Sequence, residues 1–167
     1  LPISITFDLR PNEKVLWSGS RGNLGAFLTD QHFFVISTSL NAWQALPLRL
    51  DESGKGVMSL SPYIALLVTK DRAVGFDATS NRFIETLLPI NDELLAAEVE
   101  RYVAVVITSS RAFGLAAETS AFTEILLRVR ETVEEIKITS TKATVRTSDR
   151  LLTFEAKGAT WNEYRLY

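Results

Sequence analysis

Short apolar runs alternate with polar turns along the chain at a pitch that suits strands. Ala65–Thr69 and Val103–Thr108 are dense in β-branched and aliphatic residues, as a strand buried on both faces requires. A polar step such as Lys70-Asp71-Arg72 or Ser148-Asp149-Arg150 then predicts a tight turn into a second strand. In one unit that second strand is Ala73–Phe76, ending at a small, polar loop over Asp77–Arg82. A third strand opens on an aromatic residue and runs to a leucine. Pro47 and Pro89 near its end mark a turn, because proline lacks the N–H a ladder needs. A weaker fourth strand is predicted over Val57–Leu60, Ala97–Val99 and Ile136–Ile138. Asp92–Arg101 and Arg130–Lys137 carry residues that favour helix, but both fall in this fourth slot and are read as strand.

The pattern repeats. Thr29, Thr69, Thr108 and Thr147 stand at intervals of 40, 39 and 39 residues. Three residues after them come His32, Arg72, Arg111 and Arg150, and seven after them Ile36, Phe76, Leu115 and Phe154. Fourteen after them stand the aromatic Trp43, Phe83, Phe122 and Trp161, and nineteen after them Leu48, Leu88, Leu127 and Leu166. Four before them stand the small residues Gly25, Ala65, Ala104 and Ala143. Agreement at these positions defines an internal repeat of about forty residues, with units near 24–63, 64–102, 103–140, and 141–167 plus 14–22.

A forty-residue unit of four antiparallel strands is the blade of a β-propeller. The expected fold is therefore all-β: a single domain over 1–167, a four-bladed β-propeller closed by an N-terminal strand. The fourth unit stops after its third strand, and Val15–Ser20 lies in the phase of a fourth. It is expected to complete the last blade and leave no open sheet edge. Ile3–Asp8 alternates apolar and polar residues and reads as an extra edge strand. The small residues are expected on the innermost strand, where four backbones crowd the axis, and the aromatics in the wedge between blades. Two chains joining half-rings into one eight-bladed disc would satisfy the same pattern, so monomer and homodimer both remain open.

The segment Gly75-Phe76-Asp77-Ala78-Thr79-Ser80-Asn81-Arg82-Phe83 resembles the strand–turn–strand of quinoprotein-like propeller blades. The resemblance covers one blade well and the others loosely. The Gly-His and Trp-Asp signatures of tryptophan–aspartate repeats are missing, as is the cysteine tie of hemopexin-like four-bladed domains. The resemblance therefore implies a fold, and no family's function.

Composition narrows the function classes. Hydrophobic residues at 46% and charged residues at 23% of 167 describe a globular chain rather than a disordered one. Eighteen basic and twenty acidic side chains, a net charge of −2, offer no field for nucleic acid and no polybasic face for an anionic membrane. Val103–Ile107 is far short of the roughly 20 apolar residues of a membrane helix, so no membrane insertion is expected. Without cysteine there is no disulfide, thiolate nucleophile or Cys-ligated metal. The chain begins at Leu1 rather than Met, which is compatible with a removed leader, and it shows no charged-then-apolar leader of its own. No Gly-rich phosphate loop, nucleophile elbow or metal-ligand pair is present, so no cofactor is expected.

The candidate ligand site is the cationic ring His32, Arg72, Arg111 and Arg150, which a closed disc would place on one face. Converging guanidiniums suit a phosphate, a carboxylate or an acidic partner. The alternative pairs each Arg with Asp71, Asp149 or the recurring Glu85, Glu124 and Glu163. Trp43 and Trp161 have the chemistry to stack on sugar rings, but their phase with the apolar positions makes them core. The recurring Thr hydroxyls either line the channel or bond to their own turns. Asp51-Glu52, Asn91-Asp92-Glu93 and Glu131–Glu135 read as solvated turns. On these grounds the leading expectation is a binding or scaffold module for a protein partner, ahead of a glycan or anion binder. A carboxylate-based hydrolase or lyase comes third.

Overall fold

The computed structural model describes residues 8–38, 42–52 and 56–166. The first sheet is built from β1 (Val15–Arg21), β2 (Leu24–Thr29), β3 (His32–Ser37) and β4 (Gln44–Pro47). The second comprises β5 (Val57–Leu60), β6 (Ile64–Val68), β7 (Arg72–Asp77) and β8 (Arg82–Leu87). The third holds β9 (Leu94–Glu100), β10 (Val103–Thr108), β11 (Arg111–Ala116) and β12 (Thr123–Leu126). The fourth holds β13 (Val133–Ile138), β14 (Lys142–Thr147), β15 (Arg150–Glu155) and β16 (Thr160–Arg165). Each sheet is antiparallel, with its four strands in chain order. The segments with helix-favouring residues are indeed strands, β9 and β13.

This grouping lies one strand earlier than the expected units. Val15–Ser20 belongs to β1 and pairs with β2 in the first sheet, and the fourth sheet completes itself with β13. The N-terminal strand therefore does not close the last blade. The reason is local: β1 and β2 are joined by a turn through Gly22 (φ +54°), and a hairpin partner two residues away wins over one on the last sheet. The expected edge strand Ile3–Asp8 lies outside the described residues, apart from Asp8.

The small residues Gly25, Ala65, Ala104 and Ala143 form a row across the four sheets. They lie on the second strand, and each faces a large neighbour in register. Ala65 pairs with Phe76 and Phe76 with Phe83; Ala143 pairs with Phe154 and Phe154 with Trp161. A small residue there leaves room for the large ring beside it. A Cβ on Gly25 would already meet Ile36 at 3.3 Å and Trp43 at 3.6 Å.

Neighbouring sheets stack face to face through three apolar cores. Leu24, Ala26, Phe33 and Val35 meet Ala65, Leu67, Val74 and Phe76 between the first and second sheets. Ile64, Leu66 and Val68 meet Ala104, Val106, Phe113 and Leu115 between the second and third. Val103, Val105 and Ile107 meet Ala143, Val145, Leu152 and Phe154 between the third and fourth. At two seams a large side chain fills the space above a glycine. A Cβ on Gly75 would meet Leu115 at 2.3 Å, and one on Gly114 would meet the Phe154 ring at 2.5 Å.

The stack changes character at its far end. The outward face of β14 carries Lys142, Thr144 and Arg146 where the third sheet has Val103, Val105 and Ile107. Lys142 pairs with Glu155 at 3.7 Å and Arg146 with Glu135 at 3.5 Å. A sheet packed there would bury those charges, as a polar terminal repeat prevents. Among the described residues no core joins the fourth sheet to the first.

Candidate functional site

One edge of the sheets gathers the starts of the first and third strands and the ends of the second and fourth. The recurring Thr lies there, buried in every sheet, and anchors a repeated brace. Its hydroxyl accepts the amide three residues on: His32 at 2.8 Å, Arg72 at 3.3 Å, Arg111 at 3.1 Å and Arg150 at 3.1 Å. It donates to a carboxylate 16 or 17 residues earlier in the chain: Thr29 to Glu13 (2.5 Å), Thr69 to Glu52 (2.6 Å), Thr108 to Asp92 (2.7 Å) and Thr147 to Glu131 (2.6 Å).

In three of the four units the cation is drawn into this brace. Arg72 donates through Nε and Nη2 to Glu52 (2.8 and 2.7 Å), through Nη1 to Glu85 (2.8 Å) and through Nη2 to the Pro47 carbonyl (3.1 Å). Arg150 does the same with Glu131 (2.9 and 3.1 Å), Glu163 and the Leu126 carbonyl. Both arginines are 4% exposed. His32 Nδ1 lies 2.8 Å from Glu13. The third sheet departs from the pattern because aspartate is one methylene shorter. Asp92 accepts from Thr108 and Ser110, while Arg111 is left to Glu124 at 3.1 Å with 37% of its side chain exposed.

Burial alone would raise the Glu52 and Glu131 carboxyls. Hydrogen bonds from Arg72 and Thr69, and from Arg150, the Arg128 amide and Thr147, outweigh it and hold both below the usual carboxylate range. Glu13 and Asp92 are lowered against burial in the same way, by Thr29 and His32 and by Ser110 and Thr108. The recurring Glu85, Glu124 and Glu163 are the arginine partners the sequence offered. Glu52 and Glu131, expected as solvated turns, are the buried partners.

Each carboxylate also closes a turn. The Glu13, Glu52, Asp92 and Glu131 amides donate to the carbonyls of Arg10, Arg49, Pro89 and Arg128 at 3.0 to 3.3 Å. In return three of the carboxylates accept the amides of Arg10 (3.1 Å), Arg49 (2.8 Å) and Arg128 (2.7 Å). The second residue of every turn is apolar and points into solvent: Pro11 is exposed, Leu50 is 102% exposed, Ile90 85% and Val129 91%. Asn12, Asn91 and Arg130 follow with φ of +66°, +71° and +67°, the third position of a type II turn. The sequence holds the signal in Leu9-Arg10-Pro11-Asn12-Glu13, Leu48–Glu52, Leu88–Asp92 and Leu127–Glu131, one phrase four times over.

Other apolar side chains share the edge. Val15, Val57 and Leu94 are partly exposed near the starts of β1, β5 and β9, and Leu87 and Leu126 at the ends of β8 and β12. Val57, Val68, Leu88, Leu94, Thr69 and Asp92 line a cleft of about 270 Å³ between the second and third sheets. The aromatics Phe83, Phe122 and Trp161 pack against the sheet before their own, as core positions should, while Trp43 lies outside the three cores, edge-on to Phe27 at 4.8 Å. Among the described residues no cluster of His, Asp and Glu has metal-binding geometry, and no helix is long and apolar enough to cross a membrane.

No protein-family model matches the chain, and no curated protein matches it. Solved structures do. The crystal structure of HIRA(644-1017) aligns at a TM-score of 0.52 and 11% identity, over 96% of this chain and 57% of that one. BamB from Moraxella catarrhalis aligns at 0.47 and 14%, over 89% and 49%, and human WBSCR16 at 0.47 and 13%, over 87% and 48%. The chain thus spans about half the length of the structures it resembles. With its four antiparallel sheets, this makes the chain a β-propeller repeat protein of no specific family.

Proposed function

We propose that this chain is a non-enzymatic binding module that docks a protein partner along the braced turn edge of its blades. The observation that carries the reading is the recurrence of a solvent-exposed apolar residue, Pro11, Leu50, Ile90 and Val129, at the same turn of every blade. An isolated exposed Leu is ordinary, whereas one apolar residue repeated at the same turn of every blade makes a row along one edge. The turns beneath are closed by hydrogen bonds, which lowers the conformational entropy to be lost when they are covered. Most of the charged chemistry on this edge is committed to the braces.

The reading is tested by capture from an extract of the protein's own cells with the wild type and with Leu50→Ser/Ile90→Ser/Val129→Ser. A stoichiometric partner retained by the wild type and lost by an equally stable triple variant supports it. Equal capture by both sinks it.

A ring of His32, Arg72, Arg111 and Arg150 acting together on an anion has one favourable observation, the half-exposed Arg111. A thermal upshift with sulfate that Arg111→Gln abolishes would move the reading there.

A further inference from the structure

The opposite edge of the sheets carries a different chemistry, independent of the braced turns. The turn from β5 to β6 ends at Tyr63 and the turn from β9 to β10 at Tyr102, equivalent places in consecutive blades. Their rings stack at 4.7 Å with 24° between planes, and the Arg101 guanidinium lies 5.7 Å and 5.3 Å from the two ring centres. Arg101 is exposed and enters no ion pair among the described residues. We propose that Tyr63, Arg101 and Tyr102 form a recognition site for a carboxylate on an acidic segment of a partner protein.

Three features support a ligand site over a solvated turn. Arg101 holds φ at +37°, a conformation disfavoured for a side-chain-bearing residue, and the equivalent place in the first sheet is Gly22 at +54°. The equivalent places in the second and fourth sheets hold Pro62 and Ser140, so the arginine is particular to this blade. The backbone is pinned by the buried Ser61, whose hydroxyl donates to the Arg101 carbonyl at 2.8 Å. The guanidinium lies beside both rings and hydrogen-bonds their hydroxyls, and of its five N–H donors others remain to meet a carboxylate. The cation beside it also holds the Tyr102 phenol below its ordinary value, sharpening that hydroxyl as a donor. Tyrosine and arginine are the residue types that dominate interface hot spots.

The test is a titration of the whole chain with a capped pentapeptide holding two glutamates, followed by NMR at the Arg101 Nε–H and Tyr102 amide. Saturable shifts are expected, weakened about tenfold or more by Arg101→Gln and by replacing the peptide's glutamates with glutamine. Arg101→Gly is expected to melt no lower than the wild type, since it relieves the strained backbone, while losing the peptide. Equal shifts with both peptides, saturation by inorganic phosphate at the same concentration, or an Arg101→Gly variant melting several degrees lower would each overturn the proposal. The last would make Arg101 a structural brace.

Discussion

Removing the charge of Glu131 while keeping its shape tests the brace directly. The carboxylate takes hydrogen bonds from Arg150 Nε and Nη2, Thr147 Oγ1 and the Arg128 amide, and is 6% exposed. Breaking a buried ion pair from one side typically costs about 3–5 kcal/mol, because the partner charge is left buried. Arg150 retains Glu163 and the Leu126 carbonyl, and glutamine keeps an acceptor, so Glu131→Gln belongs at the lower end, about 3 kcal/mol. For a domain of this size that is a fall in Tm of roughly 6–12 °C. Glu131→Met/Arg150→Met should cost much less than the single change, about 1 kcal/mol, because no charge is stranded. Asp92→Asn should cost about 1 kcal/mol, since Asp92 holds hydroxyls and not a guanidinium. The assay is urea unfolding at pH 7, read by Trp fluorescence and by circular dichroism, because a stack of repeats need not unfold as one unit. A Glu131→Gln variant within 1 kcal/mol of wild type, or a double variant costlier than the single, would refute the reasoning.

Other expectations follow from the same geometry. Because the folded Glu13, Glu52 and Glu131 carboxyls sit below their ordinary values, their contribution is fully present above the unfolded value of about 4.3 and is lost as pH falls through the lowered folded values. Stability measured from pH 7 to pH 2 should decline in that window, less steeply in Glu52→Gln/Glu131→Gln. Gly114→Ala should destabilise by about 1–3 kcal/mol, since its Cβ would meet ring carbons of Phe154 within 2.6 Å. Gly75→Ala should cost less, because the atom it meets is the end of the flexible Leu115 side chain; equal melting curves for the two would contradict the seam packing. Leu50→Ser/Ile90→Ser/Val129→Ser should leave urea unfolding within about 0.5 kcal/mol per site of wild type, as changes to exposed residues do.

The Thr phase revealed the repeat and its strands because six positions recur in all four copies, including the strands over Asp92–Arg101 and Arg130–Lys137. The phase could not say where a blade begins, since a period has no origin. By phase alone Val15–Ser20 fits the last blade, whereas a two-residue turn ties it to β2. The small residues were legible as a row, but their neighbours Phe76 and Phe154 lie across the ladder, a relation visible only once register is known. Glu52 and Glu131 looked like any acidic turn because their partners Thr69 and Thr147 are 17 and 16 residues away. The exposed Leu50, Ile90 and Val129 are not legible as a surface row, because an apolar residue beside a strand end reads as core.

The absence of cysteine from the chain allows a direct measurement at the turn edge. Ile90→Cys and, on the outward face of the fourth sheet, Asn162→Cys each give a unique site for a thiol-linked photocrosslinker. Exposed to the cell extract and illuminated, the protein labelled at position 90 is predicted to form one discrete adduct with a partner protein, and that labelled at position 162 none. Equal adducts from both positions, or an adduct from position 162 alone, would contradict the assignment of the turn edge as the docking surface.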